Sequence, residues 1–152
     1  MIIEGFQLIS SLVLGLLVGS LLTEAMILVP YWRSMEPKEF LRLHHTLGPR
    51  LFTYFAPLTI LATIIPVLAA VMPVVVGETY HWLSFVPAMI TLVMLVIYMG
   101  YFKGANESFK SATVGVEELS EELTKWASWH WLRVVLGMAA FFTSLLIIIG
   151  RP

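Results

Sequence analysis

Six polar side chains in this sequence have the chemistry to act together: one carboxylate, three imidazoles, one amide and one guanidinium. In chain order they are Glu24, His44, His45, Asn106, His130 and Arg133. The chain has no cysteine and no aspartate, so disulfides and thiolate metal sites are excluded and every carboxylate is a glutamate. A carboxylate near imidazoles indicates proton transfer or the binding of a metal ion.

The elements that must position these groups are four long apolar segments, which predict an all-α transmembrane four-helix bundle. They cover about residues 6–29, 51–76, 81–102 and 129–149, and each has the roughly 20 residues that a transmembrane helix needs. The composition agrees, because 59% of the residues are hydrophobic and 12% are charged, whereas a soluble domain has about 25% charged residues. We expect a single integral membrane domain whose partner is the lipid bilayer, and the net charge of −1 indicates no nucleic-acid binding.

The distribution of lysine and arginine predicts the orientation, since these residues favour cytoplasmic loops. The segments that follow the first and third spans contain Arg33, Lys38, Arg42, Arg50, Lys103, Lys110 and Lys125. The opposite side of the membrane has Arg151 alone. We therefore expect the two longer loops in the cytoplasm and both termini outside, in a bacterial or archaeal inner membrane.

Each cytoplasmic loop is predicted to contain a short amphipathic helix. Residues 36–47 have the pattern of a helix that begins at a proline and is stopped by a Gly-Pro pair. Residues 113–125 combine an apolar stripe with four glutamates that form a solvated face. This second helix can run straight into the fourth span.

One face of the first span has small side chains at four-residue spacing: Ser11, Gly15, Gly19 and Thr23. Such stripes let helix backbones approach closely in lipid. Packing within the bundle and a homo-oligomer interface both explain this pattern.

The six polar residues are predicted to meet in the cytoplasmic half of the bundle. Glu24 lies six residues before Pro30, which places it roughly 9 Å from the cytoplasmic end of the first span. His130 and Arg133 are three apart and share one face of the fourth span, which runs in the opposite direction. His44 and His45 precede the second span and Asn106 ends the third, so all four helices contribute to this level.

A metal site is the first interpretation of this cluster. Glu24, His130 and one or both of His44 and His45 would supply one carboxylate and two imidazoles, a set that suits iron, copper or zinc. Adjacent histidines on a helix point about 100° apart, so we expect one of the two to join. In this interpretation Arg133 and Asn106 orient the ligands or bind the substrate.

Other interpretations remain open. A structural ion pair between Glu24 and Arg133 would fit a non-enzymatic scaffold or accessory subunit. A haem between His130 and a loop histidine, a small transporter, and a neutral pocket for an apolar small-molecule substrate are further alternatives. The aromatic walls of that pocket would be Tyr98, Phe102, Trp126, Trp129 and Trp131.

Three stretches carry a family resemblance. They are Thr23-Glu24 with residues 28–32, residues 104–107, and the set Trp126, Trp129, His130 and Arg133. In order and topology the chain resembles the small four-span membrane proteins of the anthrone-oxygenase-like family.

This resemblance implies that a phenolic, polycyclic substrate is oxidised with molecular oxygen, as in the fungal members. Asn106 and the tryptophan-to-arginine stretch match the family pattern. The chain departs from it in having His130 where asparagine is common, and in carrying the pair His44-His45. These departures favour a metal-dependent oxidoreductase or oxygenase-like enzyme as our leading expectation.

Overall fold

The structure, a computed structural model, describes residues 2–79 and 81–150 and consists there mainly of four long helices. We number them α1 (Ile2–Arg33), α2 (Pro37–Val75), α3 (Trp82–Lys110) and α4 (Leu119–Ile149). Each is long and apolar enough to cross a membrane. The prediction of an all-α bundle with four spanning helices is confirmed, and it fits an integral membrane protein. Arg151, on which part of the predicted orientation rests, lies outside the described residues.

Hydrogen bonds between helices show that α4 runs antiparallel to both α1 and α3. Ser11, in the first half of α1, donates from Oγ to Ser144 Oγ near the end of α4, at 2.9 Å. Trp126, early in α4, donates from Nε1 to Asn106 Oδ1 near the end of α3, also at 2.9 Å. Antiparallel neighbours joined by short connections are the ordinary arrangement of a four-helix bundle.

Two of the three connections lie at the same end of the bundle. These are residues 34–36, between α1 and α2, and residues 111–118, between α3 and α4. We call this end the loop end; the connection at residues 76–81 lies at the other end. All four helices therefore bring residues to the loop end, where the sequence placed the polar cluster.

The buried core changes character along the bundle. Its middle is aliphatic, with Leu14, Leu17 and Leu21 of α1 packed against Val134 of α4. Towards the loop end it is aromatic and includes Trp32, Phe40, Phe102, Phe109 and Trp126. Large apolar side chains remain exposed on the outer faces of all four helices, as expected for a surface that lipid covers.

The short loop helices that the sequence predicted are not separate elements. Gly48 and Pro49 do not end a helix, because α2 runs without interruption from Pro37 to Val75. Proline removes one backbone hydrogen bond but does not by itself force a helix to stop, especially where neighbouring groups compensate. The second predicted helix begins at Leu119 rather than at residue 113, and it continues into the fourth span as expected.

The stripe of small residues on α1 divides into two halves. Ser11 and Gly15 face α4, where the Phe141 ring lies 3.1 Å from the position that a Cβ of Gly15 would occupy. Gly19 and Thr23 are exposed, and nothing lies within 4 Å of a Cβ placed on Gly19. The first half thus serves packing within the bundle, and the homo-oligomer interface stays a prediction for the second half.

Candidate functional site

A carboxyl group and an imidazole lie side by side in the interior. Glu24 of α1 is 6% exposed and His130 of α4 is completely buried. Glu24 Oε2 lies 3.7 Å from His130 Nδ1, which has no hydrogen-bond partner among the described residues. The other ring nitrogen, Nε2, lies 3.0 Å from the backbone carbonyl oxygen of Leu21. Because a carbonyl oxygen only accepts hydrogen bonds, Nε2 carries a hydrogen and Nδ1 is left facing the carboxyl group.

Local backbone structure helps to place these groups. Glu24 is the first residue of a π-helical turn, Glu24–Leu28, inside α1. A second π-helical turn, Tyr98–Phe102, interrupts α3 and carries Phe102 against the cluster. The ring of Phe102 lies 6.5 Å from that of His130, centroid to centroid. Single π-helical turns within α-helices occur frequently at functional sites, and nothing in the hydrophobic pattern had indicated either one.

Arg133 completes the charged part of the site without touching Glu24. Its guanidinium carbon lies 4.6 Å from the centroid of the Phe102 ring, in a cation–π contact. An electrostatic interaction links Arg133 to Glu24, but within the described residues no salt bridge joins them at 4.0 Å or less. Arg133 Nε is buried and has no hydrogen-bond partner among the described residues. The ionisable side chain within 4.0 Å of Glu24 is therefore His130, and the direct Glu24–Arg133 ion pair expected as an alternative is not formed.

A cavity of about 730 Å³ opens beside these groups, between α2 and α3. Glu24 and Arg133 line its inner part, together with His44 and Trp126. Its remaining walls are mostly apolar: Leu51, Phe52, Phe55, Ala56, Ile60, Leu95 and Met99 are among them. His130 does not line the cavity, whereas its neighbour Glu24 does.

The structure separates the two adjacent histidines. His44 is 5% exposed, and its ring packs against Phe40 at 4.6 Å and Trp32 at 5.1 Å, centroid to centroid. It lines the cavity, and its Nδ1 has no hydrogen-bond partner among the described residues. His45 is exposed, and its Nδ1 lies 3.1 Å from the carbonyl oxygen of Lys110, away from Glu24. His44 is therefore the inward-facing member of the pair.

Asn106 acts on the cluster through a tryptophan. Its Oδ1 accepts the hydrogen bond from Trp126 Nε1, and the Trp126 ring is stacked on His130 with centroids 4.9 Å apart and an interplanar angle of 16°. Asn106 also lines the cavity. A continuous set of contacts thus runs from Asn106 through Trp126 and His130 to Glu24. The sequence had indicated each residue but not this connection.

The aromatic residues predicted as pocket walls have different positions. Tyr98 and Trp126 line the cavity, whereas Phe102 is buried behind it. Trp129 and Trp131 are partly exposed on the outer face of α4 and do not line it. The aromatic walls that the sequence did not single out are Trp32, Phe52 and Phe55.

The predicted metal ligands are only partly brought together. Glu24 and His130 form a pair, but no group of three or more histidine or acidic side chains suited to a metal occurs within the described residues. Zinc and iron sites in proteins usually have three or more protein ligands, and the cation Arg133 lies in the same cavity. The metal site stays a prediction. The haem alternative gains nothing from the geometry, since His130 is fully buried away from the cavity.

Comparison with protein-family models, with curated proteins and with solved structures finds no match to this chain. The resemblance to the anthrone-oxygenase-like proteins is thus an expectation that rests on the sequence stretches given above.

Proposed function

We propose that this chain is a small integral membrane oxidoreductase or oxygenase-like enzyme that acts on an apolar, aromatic substrate bound in the cavity between α2 and α3. The observation that carries the proposal is the buried Glu24–His130 pair, with Glu24 opening onto a cavity of about 730 Å³. Ligand pockets for small molecules have volumes of roughly 300–1,000 Å³ and mostly apolar walls with a few polar groups. This cavity has both properties.

In this proposal Glu24 is the general base. It takes a proton from the substrate, and His130 Nδ1 stands behind it to share that proton. The Leu21 carbonyl keeps the hydrogen on Nε2 and so holds the imidazole in the required tautomer. The pair gains one positive charge and the substrate one negative charge, so the total charge of the pair and its bound substrate does not change.

Arg133 stabilises the anion that forms when the substrate loses its proton. Its Nε has no hydrogen-bond partner among the described residues, and the residue lines the cavity. A fixed cation in a site of low dielectric constant is an effective stabiliser of developing negative charge. A phenol or a carbon acid next to a carbonyl group is the class of substrate that would use it.

The oxidant comes from the family resemblance, which implies molecular oxygen. In such a reaction a methylene carbon of the substrate becomes a carbonyl carbon. One oxygen atom of O₂ is incorporated, and the other leaves as water with the two hydrogens of the methylene group. The residues of this chain supply the proton transfer and the anion stabilisation, and the bilayer supplies the apolar substrate.

The substrate enters from the side. Phe52 of α2 is 60% exposed and Met99 of α3 is 58% exposed, and both line the cavity. The cavity mouth therefore lies on an apolar outer surface, where lipid-soluble molecules are concentrated. We place the loop end in the cytoplasm, following the excess of lysine and arginine there.

A metal-dependent form of the same enzyme is the second candidate. A metal-bound histidine usually donates its other ring N–H to a carboxylate or a backbone carbonyl. His130 has this arrangement, with Nε2 on the Leu21 carbonyl and Nδ1 free beside Glu24. In this form iron, copper or zinc would bind between Glu24 and His130.

The test is an oxygen-consumption assay on protein purified in detergent, with a hydroxylated anthrone as the probe substrate. We expect consumption of O₂ with formation of the corresponding quinone, and a loss on the order of 100-fold or more in kcat for Glu24→Gln. Glu107→Gln is the matched control, because Glu107 also lines the cavity but lies exposed at its rim. Wild-type protein without activity, or equal loss in both variants, would refute the proposal.

A further inference from the structure

A second concave site lies at the loop end, outside the cavity described above. It has a volume of about 410 Å³ and lies between the first turns of α2 and the last turn of α3. Its lining residues are Lys38, Leu41, Arg42, His45, Thr46, Lys110, Ser111 and Ala112. None of these described lining residues is acidic. We call this site the basic pocket.

The charge in the basic pocket is not neutralised from within. Lys38 and Arg42 are four residues apart and so share one face of α2. Among the described residues neither has a salt-bridge partner. Lys110 is paired with Glu107, its Nζ lying 2.9 Å from Oε2. Two cations are thus left to attract an anion from outside the protein.

The surroundings of the basic pocket indicate what kind of anion it is. Lys110 lines both the basic pocket and the larger cavity, so the two sites are neighbours. Both lie along the line where α2 and α3 meet, which we call the α2–α3 seam. Phe52 follows Arg42 by ten residues on α2, which corresponds to roughly 15 Å along the helix. Along that distance the seam passes from positive charge at the loop end to the exposed apolar surface of Phe52 and Met99.

This succession matches a phospholipid, with its phosphate at one end and its acyl chains beyond. We propose that the basic pocket binds the phosphate of an anionic phospholipid, whose acyl chains lie along the α2–α3 seam towards the mouth of the cavity. Basic pockets between transmembrane helices are known to hold anionic lipid headgroups. The inference does not depend on the enzymatic proposal, because it uses no residue of the Glu24–His130 pair.

The experiment titrates lipid into detergent-purified full-length protein and follows the midpoint of thermal unfolding, with native mass spectrometry to count retained lipids. We expect phosphatidylglycerol to stabilise the protein and to be retained, whereas phosphatidylcholine and inorganic phosphate are not. Arg42→Gln should raise the half-saturating phosphatidylglycerol concentration about fivefold, and Lys38→Gln with Arg42→Gln about 25-fold.

Arg50→Gln is the matched control. Arg50 is an exposed arginine on the same helix, eight residues further on, and it does not line the basic pocket. Its substitution should leave phosphatidylglycerol binding within twofold of wild type. An equal loss in Arg42→Gln and Arg50→Gln, or equal binding of phosphatidylcholine and phosphatidylglycerol, would show that the pocket is not a headgroup site. Stabilisation by inorganic phosphate alone would show that the acyl chains contribute nothing.

Discussion

Glu24 Oε2 lies 3.7 Å from Nδ1 of His130, and the far side of the same imidazole is held by the Leu21 carbonyl at 3.0 Å. The histidine is thus fixed between a backbone acceptor and a carboxyl group, both contributed by α1. A carboxylate buried alone in a membrane costs about 2.5–3.5 kcal/mol on insertion scales. The nearby cation Arg133 offsets part of this cost, so the pair is expected to be both structural and functional.

The first prediction concerns the coupling between these two residues. In a double-mutant cycle with Glu24→Gln and His130→Gln, the free energies of unfolding should be non-additive by about 0.5–3 kcal/mol, as for other residues in contact. The measurement is denaturant unfolding in detergent micelles. The parallel cycle of Glu107→Gln with His130→Gln should be additive, since Glu107 is exposed and pairs with Lys110. Additivity in the Glu24 cycle would contradict a direct interaction between the two side chains.

The second prediction concerns the Asn106–Trp126 hydrogen bond. Asn106→Leu removes the acceptor of the buried indole N–H and should destabilise the protein by about 1–3 kcal/mol. Trp126→Phe added to Asn106→Leu should recover part of this loss, because the phenyl ring has no N–H to satisfy. The midpoint of thermal unfolding is measured for the two single variants and for the double variant. If the double variant is as unstable as the sum of the two single ones, the hydrogen bond is not the cause.

The level at which the polar residues meet was predictable from the sequence. Counting along an apolar span fixes the depth of Glu24, and antiparallel topology then brings His130 and Arg133 to that depth. Which residue lies directly beside Glu24 was not predictable, because this depends on how α4 is rotated about its own axis relative to α1. A π-helical turn also begins at Glu24, and nothing in the hydrophobic pattern indicates it.

The orientation of His44 and the cavity itself also required the structure. Adjacent residues on a helix differ in direction by about 100°, and the side of α2 that turns inward is set by the aromatic cluster around Phe40 and Trp32. The Gly48-Pro49 pair looked like a helix end, yet α2 continues through it. That continuity is what places Phe52 and Phe55 along the cavity wall.

The third prediction concerns close packing of α4 against α1. A Cβ on Gly137 would lie 3.2 Å from Val18 Cγ2 and 3.7 Å from Leu21 Cδ1. Gly137→Val should therefore overpack this contact and cost about 1–3 kcal/mol. At Gly19 of α1 nothing lies within 4 Å of an added Cβ, so Gly19→Val should have a much smaller effect on the unfolding midpoint in detergent. Similar losses at both positions would contradict this packing.

The fourth prediction tests the orientation of the bundle. The chain has no cysteine, so a single cysteine reports its own side of the membrane without background. Glu118→Cys, in the connection at the loop end, should react with a membrane-impermeant maleimide only after the cells are opened. Glu78→Cys, in the connection at the other end, should react in intact cells. The opposite pattern would reverse the orientation that the lysines and arginines predict.

The last prediction separates the metal-dependent form of the enzyme from the metal-free one. If a metal binds between Glu24 and His130, purified protein should contain about one iron, copper or zinc ion per chain by elemental analysis. Glu24→Ala and His130→Ala should each lose it, since two ligands are too few for either to be dispensable. His45→Ala should retain it, because His45 is exposed and hydrogen-bonded to the Lys110 carbonyl instead. Wild-type protein free of metal, with both alanine variants folded, would leave the proton-transfer proposal standing and remove the metal from it.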